Sequence, residues 1–187
     1  MRDLLRRVQE ALPEIARWID RLHAQHAARA VSARAAAPAR LAGYFPPAFL
    51  DSAGVVTGDA LPFPPVAEYG LPEFASMATP DMAGITFGHL YFLRKDDPAG
   101  GVHFHELVHV VQWQTLGVAE FLSTYAVGLA LHSYETSPLE SVAFWLEGQF
   151  DLGIAPLEVT DFVARHARAA RDTAAKVFAK HHLQLGA

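Results

Sequence analysis

Apolar residues recur at intervals of three and four along the first part of the chain, at Leu4, Leu5, Val8, Leu12, Ile15, Trp18, Ile19 and Leu22. That spacing stacks them on one face of a helix, and a helical segment is expected from about residue 3 to residue 37. Pro13 removes a backbone donor and is expected to kink or split it. Arg6, Arg7, Arg17, Arg21, Arg29 and Arg34 read as its solvated face.

The pattern then changes. Pro46, Pro47, Pro62, Pro64, Pro65, Pro72 and Pro80 punctuate short apolar pieces between Pro38 and Pro80, which predicts extended chain and turns. Residues 54–58, GVVTG, read as a short strand. The strongest strand signal is Gly84 to Leu93, GITFGHLYFL, rich in β-branched and aromatic residues and closed by the polar turn Arg94-Lys95-Asp96-Asp97-Pro98. Helical spacing returns afterwards, with helices expected at about 102–116, closed by Gly117, at 118–131, at 138–150 and at 160–182. Ser137 stands as N-cap of the third, with Pro138 in its first position. The expected fold is α+β, mainly helical, in a single domain of residues 1–187, with the 84–93 strand at the edge of a small sheet.

Composition narrows the chemistry. A chain of 187 residues, 51% hydrophobic and 19% charged, can build one ordinary core. A net charge of -5 and a pI near 6.0 leave no basic footprint, so nucleic acid is not an expected partner. There is no cysteine, hence no disulfide framework and no thiolate ligand or nucleophile, and a metal would be held by His, Asp or Glu. The first twenty residues mix charged and apolar positions without the uninterrupted apolar run of a signal peptide, and no segment approaches 18 consecutive apolar residues. A cytoplasmic protein without a membrane partner is expected.

Against that background His105-Glu106-Leu107-Val108-His109 stands out as an HExxH motif. Side chains four apart on a helix lie one above the other, close enough for two imidazoles to share one tetrahedral zinc ion. Glu106 is turned by about 100° from His105, so it borders the ion without ligating it and can take a proton from an attacking water. Phe104, Leu107, Val108 and Val111 should bury on one face while His105, His109 and Gln112 line its neighbour, where Gln112 is a candidate to orient a ligand.

A catalytic zinc site takes a third protein ligand, and Glu120, Glu135, Glu140, Glu147 and Asp151 are the acidic candidates. Glu140 is the preferred one, in the first turn of a helix that one intervening helix returns to the motif. Ser137-Pro138-Leu139-Glu140 also reads as a capping box, in which Glu140 would merely bond the Ser137 amide. Tyr134, six residues earlier, is a candidate catalytic donor to a developing oxyanion, with Tyr125 and His132 as competitors. His103 reads as a bystander, and His23, His26, His166, His181 and His182 as solvated helix residues.

HELVHVVQ, preceded by Gly84-Ile85-Thr86-Phe87-Gly88 and followed by Tyr134-Glu135-Thr136-Ser137-Pro138-Leu139-Glu140-Ser141-Val142-Ala143-Phe144, resembles the small bacterial zinc metallopeptidases of the HExxH gluzincin type. These combine a G-x-T-x-G strand, HELxHxxQ and a later Y-x-x-N-P-x-E-x-x-A-Y segment. The resemblance covers residues 44–150. It implies a zincin-like core, with His105, His109 and Glu140 as Zn2+ ligands, Glu106 as base, and an edge strand over the metal that pairs with an extended peptide. Ser137 replaces the usual Asn and Phe144 a frequent Tyr. The N-terminal segment, 1–37, and the C-terminal helix, 157–183, lie outside it.

The expected function is therefore that of a zinc-dependent hydrolase, a metallopeptidase acting on a peptide or protein substrate. Its rivals are a non-catalytic zinc-binding structural or interaction module and a metal-dependent amidase or esterase acting on a non-peptide substrate.

Overall fold

A computed structural model of the chain describes residues 1–77, 79, 81–154 and 159–186. Pro80 and the expected start of the last helix at 157–158 lie outside the described residues. The fold is α+β and mainly helical, as expected. Helix α1 (Arg2–His26) leads to strand β1 (Val31–Ser32), the short helices α2 (Ala33–Ala36) and α3 (Pro47–Ser52), and strand β2 (Gly54–Thr57). Strands β3 (Gly84–Phe87) and β4 (Leu90–Leu93) follow, then α4 (Gly101–Leu131), α5 (Pro138–Asp151) and α6 (Val159–Lys180).

Three sequence expectations change. The N-terminal helix stops at His26 and not near residue 37, because the apolar period lapses after Leu22 and the chain then pairs with the sheet as β1. Pro13 neither splits nor ends α1; it lies on the exposed side of a helix whose other face buries Leu5, Val8, Leu12, Ile15, Ile19 and Leu22. The 84–93 stretch is a hairpin turning at Gly88-His89, and not one strand. In the sheet order β1-β2-β4-β3, β4 runs parallel to β2 in the interior and β3 alone of the pair is an edge.

The hairpin sequence reads as one long apolar run because both faces of the sheet are covered. Tyr91 and Leu93 pack on one side with Phe104 and Leu107 of α4, while Leu90 and Phe92 pack on the other with Ile15 and Ile19 of α1. The sheet is thus a layer between α1 and α4. Helices α5 and α6 pack against the far side of α4. At Gly117 the backbone of α4 takes φ +70° and ψ 173°, a conformation that favours glycine, so the two helices read from sequence meet end to end at a kink. The kink directs the second half of α4 toward the loop that returns the chain as α5.

Candidate metal centre

The first half of α4 is buried on all sides, and the polar residues it carries have assigned neighbours. His105 and His109 face each other with their Nε2 atoms 3.0 Å apart. The Glu140 carboxylate approaches from α5, with Oε2 3.5 Å from His105 Nε2 and Oε1 3.4 Å from His109 Nε2. Ligand atoms of these three buried residues lie within 4.8 Å of one another, a group that could hold a metal ion.

The outer nitrogens of the rings fix the tautomers. His105 Nδ1 lies 3.0 Å from Glu147 Oε2, an acceptor, so Nδ1 carries the proton. His109 Nδ1 lies 2.8 Å from Gln112 Oε1, whose amide is oriented by the 2.9 Å bond that its Nε2 donates to the Leu139 carbonyl. With the Nδ1 protons held outward, both Nε2 atoms point at the same place, where a metal ion, or a proton on one ring, would bridge them. Glu140 Oε2 is buried and accepts no hydrogen bond, so its lone pairs are unused at the same place. The donor set, two imidazoles and a carboxylate, fits a zinc site with an open position.

Charge tells the same story. Burial works against a positive His105, but Glu140 and Glu147 outweigh it and raise its pKa to about 10. Burial likewise opposes charge on His109, and Glu140 overrides it in the same direction. The pocket attracts positive charge, which a bound cation supplies without protonating either ring. The two central carboxylates are pushed apart. Burial raises Glu106 against the pull of His105, His109 and Thr86, whereas Glu140, also opposed by burial, is held well below the usual carboxylate range by His109 and His105. Such a separation assigns different work to the two groups.

Glu106 lies beside the cluster and outside it. The Thr86 hydroxyl of β3 donates to its Oε2 at 2.6 Å. Its Oε1 lies where a side chain at residue 84 would be, 2.6 Å from the position of a Cβ on Gly84, so glycine is required for the close approach of strand and carboxylate. Glu140 is no helix cap: the Ser137 amide donates to the Tyr134 carbonyl at 3.2 Å, the Ser137 side chain forms no capping bond, and Glu140 Oε1 accepts the Tyr125 hydroxyl at 2.6 Å. Glu120 pairs with Arg171, and Glu135 is exposed.

Tyr134 lies in the α4–α5 connection on the wall of a cavity that reaches Glu106, His109 and Glu140. Burial and the Glu140 and Glu106 charges push its phenol up, so it remains a protonated donor. Tyr125 serves Glu140. His103 is buried against the Tyr91 hydroxyl at 2.7 Å, away from the cluster. His23 and His26 are half-buried at the α1–sheet junction and not solvated as expected: His23 Nε2 donates to the Phe87 carbonyl at 2.8 Å, and the ring of His26 meets Phe92.

Sequence reasoning gives Thr86 and Phe144 no role, Tyr125 only a rival place as oxyanion donor and Glu147 one as candidate ligand; the structure sets Tyr125 on Glu140 and Glu147 on His105 Nδ1. Glu140, Phe144 and Glu147 are spaced at four and three, one face of α5, and this was the available signal; the Phe144 ring meets His105 edge to face at 4.7 Å. Compared with known protein families, with curated proteins and with solved structures, the chain matches none. No described helix is long and apolar enough to cross a membrane.

Proposed function

We propose that the protein is a zinc-dependent hydrolase, and in particular a peptidase with a zincin-like site. The observation that carries this reading is the convergence of buried ligand atoms of His105, His109 and Glu140, with Glu140 Oε2 unpartnered, beside a Glu106 that stands outside the group. A purely structural zinc site has four protein ligands and no use for a free carboxylate at its border. When bound, zinc would supply a Lewis acid that polarises the scissile carbonyl and acidifies a water molecule.

The chain's own groups carry the remaining steps. Glu106 takes the proton of the attacking water on Oε1, since Oε2 is engaged by Thr86, and returns it to the leaving amine. Tyr134 donates its hydroxyl proton in a hydrogen bond to the developing oxyanion. Tyr125, Glu147 and Gln112 hold the three ligands in place. A peptide substrate is favoured by β3. Ala83 accepts from Arg94 across the hairpin, and by alternation Gly84 and Thr86 turn their N–H and C=O groups outward along the free edge, where an extended chain can pair.

Metal analysis of untagged protein, with a quenched-fluorescent peptide library, tests the reading. One zinc per chain is expected, with peptide cleavage that falls at least about a hundredfold in Glu106→Gln while zinc is retained. A folded chain that stays metal-free in excess zinc rejects it. Cleavage of esters or non-peptide amides in place of peptides would keep the hydrolase and replace the substrate.

A further inference from the structure

Beside the metal cluster lies a cavity of about 140 Å³ whose lining is polar at one end, at Thr86, Glu106, His109, Glu140 and Tyr134, and otherwise almost wholly aliphatic or aromatic. Its apolar walls include Leu12 and Ile15 of α1, Phe74, Ile85 of β3, and Leu122 and Ala126 of the second half of α4. The pocket is partly open to solvent, so a ligand group can enter it, and its walls leave apolar surface that such a group would cover. A sealed cavity of about 150 Å³ lined by such side chains accepts benzene, which sets the scale of group that this volume takes. Among the described residues no Lys or Arg lines it, and the two carboxylates that do belong to the proposed site.

The wall supplied by α1 is held by more than packing. Arg7 bridges to Glu73 and to the Gly70 carbonyl, and Asp3 bonds the same guanidinium, which ties α1 to the segment that carries Phe74. The walls of this partly open pocket are thus elements tied to one another.

We infer that this cavity is the specificity pocket of the hydrolase, taking one aromatic or branched aliphatic group that flanks the scissile carbonyl and excluding charged ones. This rests on the metal-site reading above and adds the substrate class. Helix α1, which lies outside the residues that carry the family resemblance, thereby becomes a substrate-selecting element. A group the size of a phenyl ring fits the volume, and apolar burial there adds affinity that polar side chains would forfeit.

Two probes test the inference on the full-length protein. Toluene, titrated calorimetrically, reports the cavity without any metal. Acetohydroxamate and phenylacetohydroxamate, titrated into zinc-loaded protein, report whether the cavity lies in line with the metal. Toluene is expected to bind, and the phenyl group is expected to add about tenfold or more to hydroxamate affinity. Ala126→Leu should abolish that gain and leave acetohydroxamate unchanged, with Leu122→Phe, at a half-buried position, as a second filling variant should the first fail to fold. No toluene binding overturns the pocket and leaves the metal site standing. Toluene binding with equal hydroxamate affinities also overturns it, because the void would then not serve the site. If toluene binds and neither hydroxamate does, the metal-site reading fails and the pocket falls with it.

Discussion

The molecule contains two histidine pairs of nearly the same shape and opposite character. His105 and His109 meet edge to face with ring centroids 4.8 Å apart at 71°, and His23 and His89 meet at 4.6 Å and 65°. Around the first pair, Glu140 and Glu147 raise the tendency to hold positive charge. At the second, burial and the neighbouring His23 lower the pKa of His89. Imidazoles in contact do not make a cation site. Carboxylates at the facing nitrogens do, together with acceptors that fix the protons on the opposite side of each ring. Among the described residues, His105, His109 and Glu140 form the group whose ligand atoms converge.

Removing a ring from each pair gives the largest expected contrast. His105→Ala or His109→Ala should lose zinc altogether, far beyond the roughly 10–100-fold cost of losing a ligand's hydrogen-bond partner. His23→Ala should retain one zinc per chain, whatever it costs in stability. Inductively coupled plasma mass spectrometry after dialysis reads both. Zinc lost from folded His23→Ala would break the distinction between the pairs.

The next contrast concerns what Glu140 is for. Glu140→Gln substitutes a neutral oxygen for a charged one and should weaken zinc by at least about a hundredfold in a competitive chelator titration. Ser137→Ala should leave zinc binding unchanged and stability within about 0.5 kcal/mol, since the hydroxyl is buried without a partner and caps nothing. A loss of about 1 kcal/mol or more on Ser137→Ala, the typical cost of a lost cap, would restore the capping box.

Glu147 sharpens the comparison further, because it touches the outer nitrogen of His105 and not the facing one. Glu147→Gln keeps an acceptor for the Nδ1 proton and removes a charge. A drop of about tenfold in zinc affinity is expected, with one zinc still bound at saturation. An effect as large as that of Glu140→Gln would make Glu147 a ligand.

These contrasts also show what the sequence could express. The HExxH spacing encodes a local geometry, two imidazoles one turn apart, so His105, Glu106 and His109 were legible from five residues. Glu140 was legible as a candidate, but capping and ligation share the pattern S-x-x-E, and only the kink at Gly117 and the path of α5 bring its carboxylate beside His105 and His109. The mainly helical α+β class followed from periodicity. The hairpin did not, because a strand covered on both faces loses its alternation, and Gly88-His89 interrupts the run without a polar break. The Thr86–Glu106 bond joins residues 20 apart through sheet-on-helix packing, which no local spacing records. Half-burial of His23 was hidden for the same reason: its partner, the Phe87 carbonyl, is 64 residues away.

The smallest expected effect belongs to the second pair and concerns acid. His89 has its folded pKa below the unfolded value near 6.5, first through burial and then through repulsion from His23. Above pH 6.5 the ring is neutral folded or unfolded, and the fold has its full stability. As pH falls below 6.5 the unfolded chain takes the proton first, so stability declines until the folded pKa is reached and is flat beyond it. His89 is an exposed residue, so its burial is only partial, and solvent screening limits the loss to the order of a few tenths of a kcal/mol. The measurement is a difference, urea unfolding of His89→Gln against the parent from pH 7.5 to 5, which cancels the common titration of His105 and His109. The gap should close in favour of the variant as pH falls. A gap that widens in favour of the parent would mean that His89 gains stability on protonation, and the two pairs would then be alike in their attraction for positive charge.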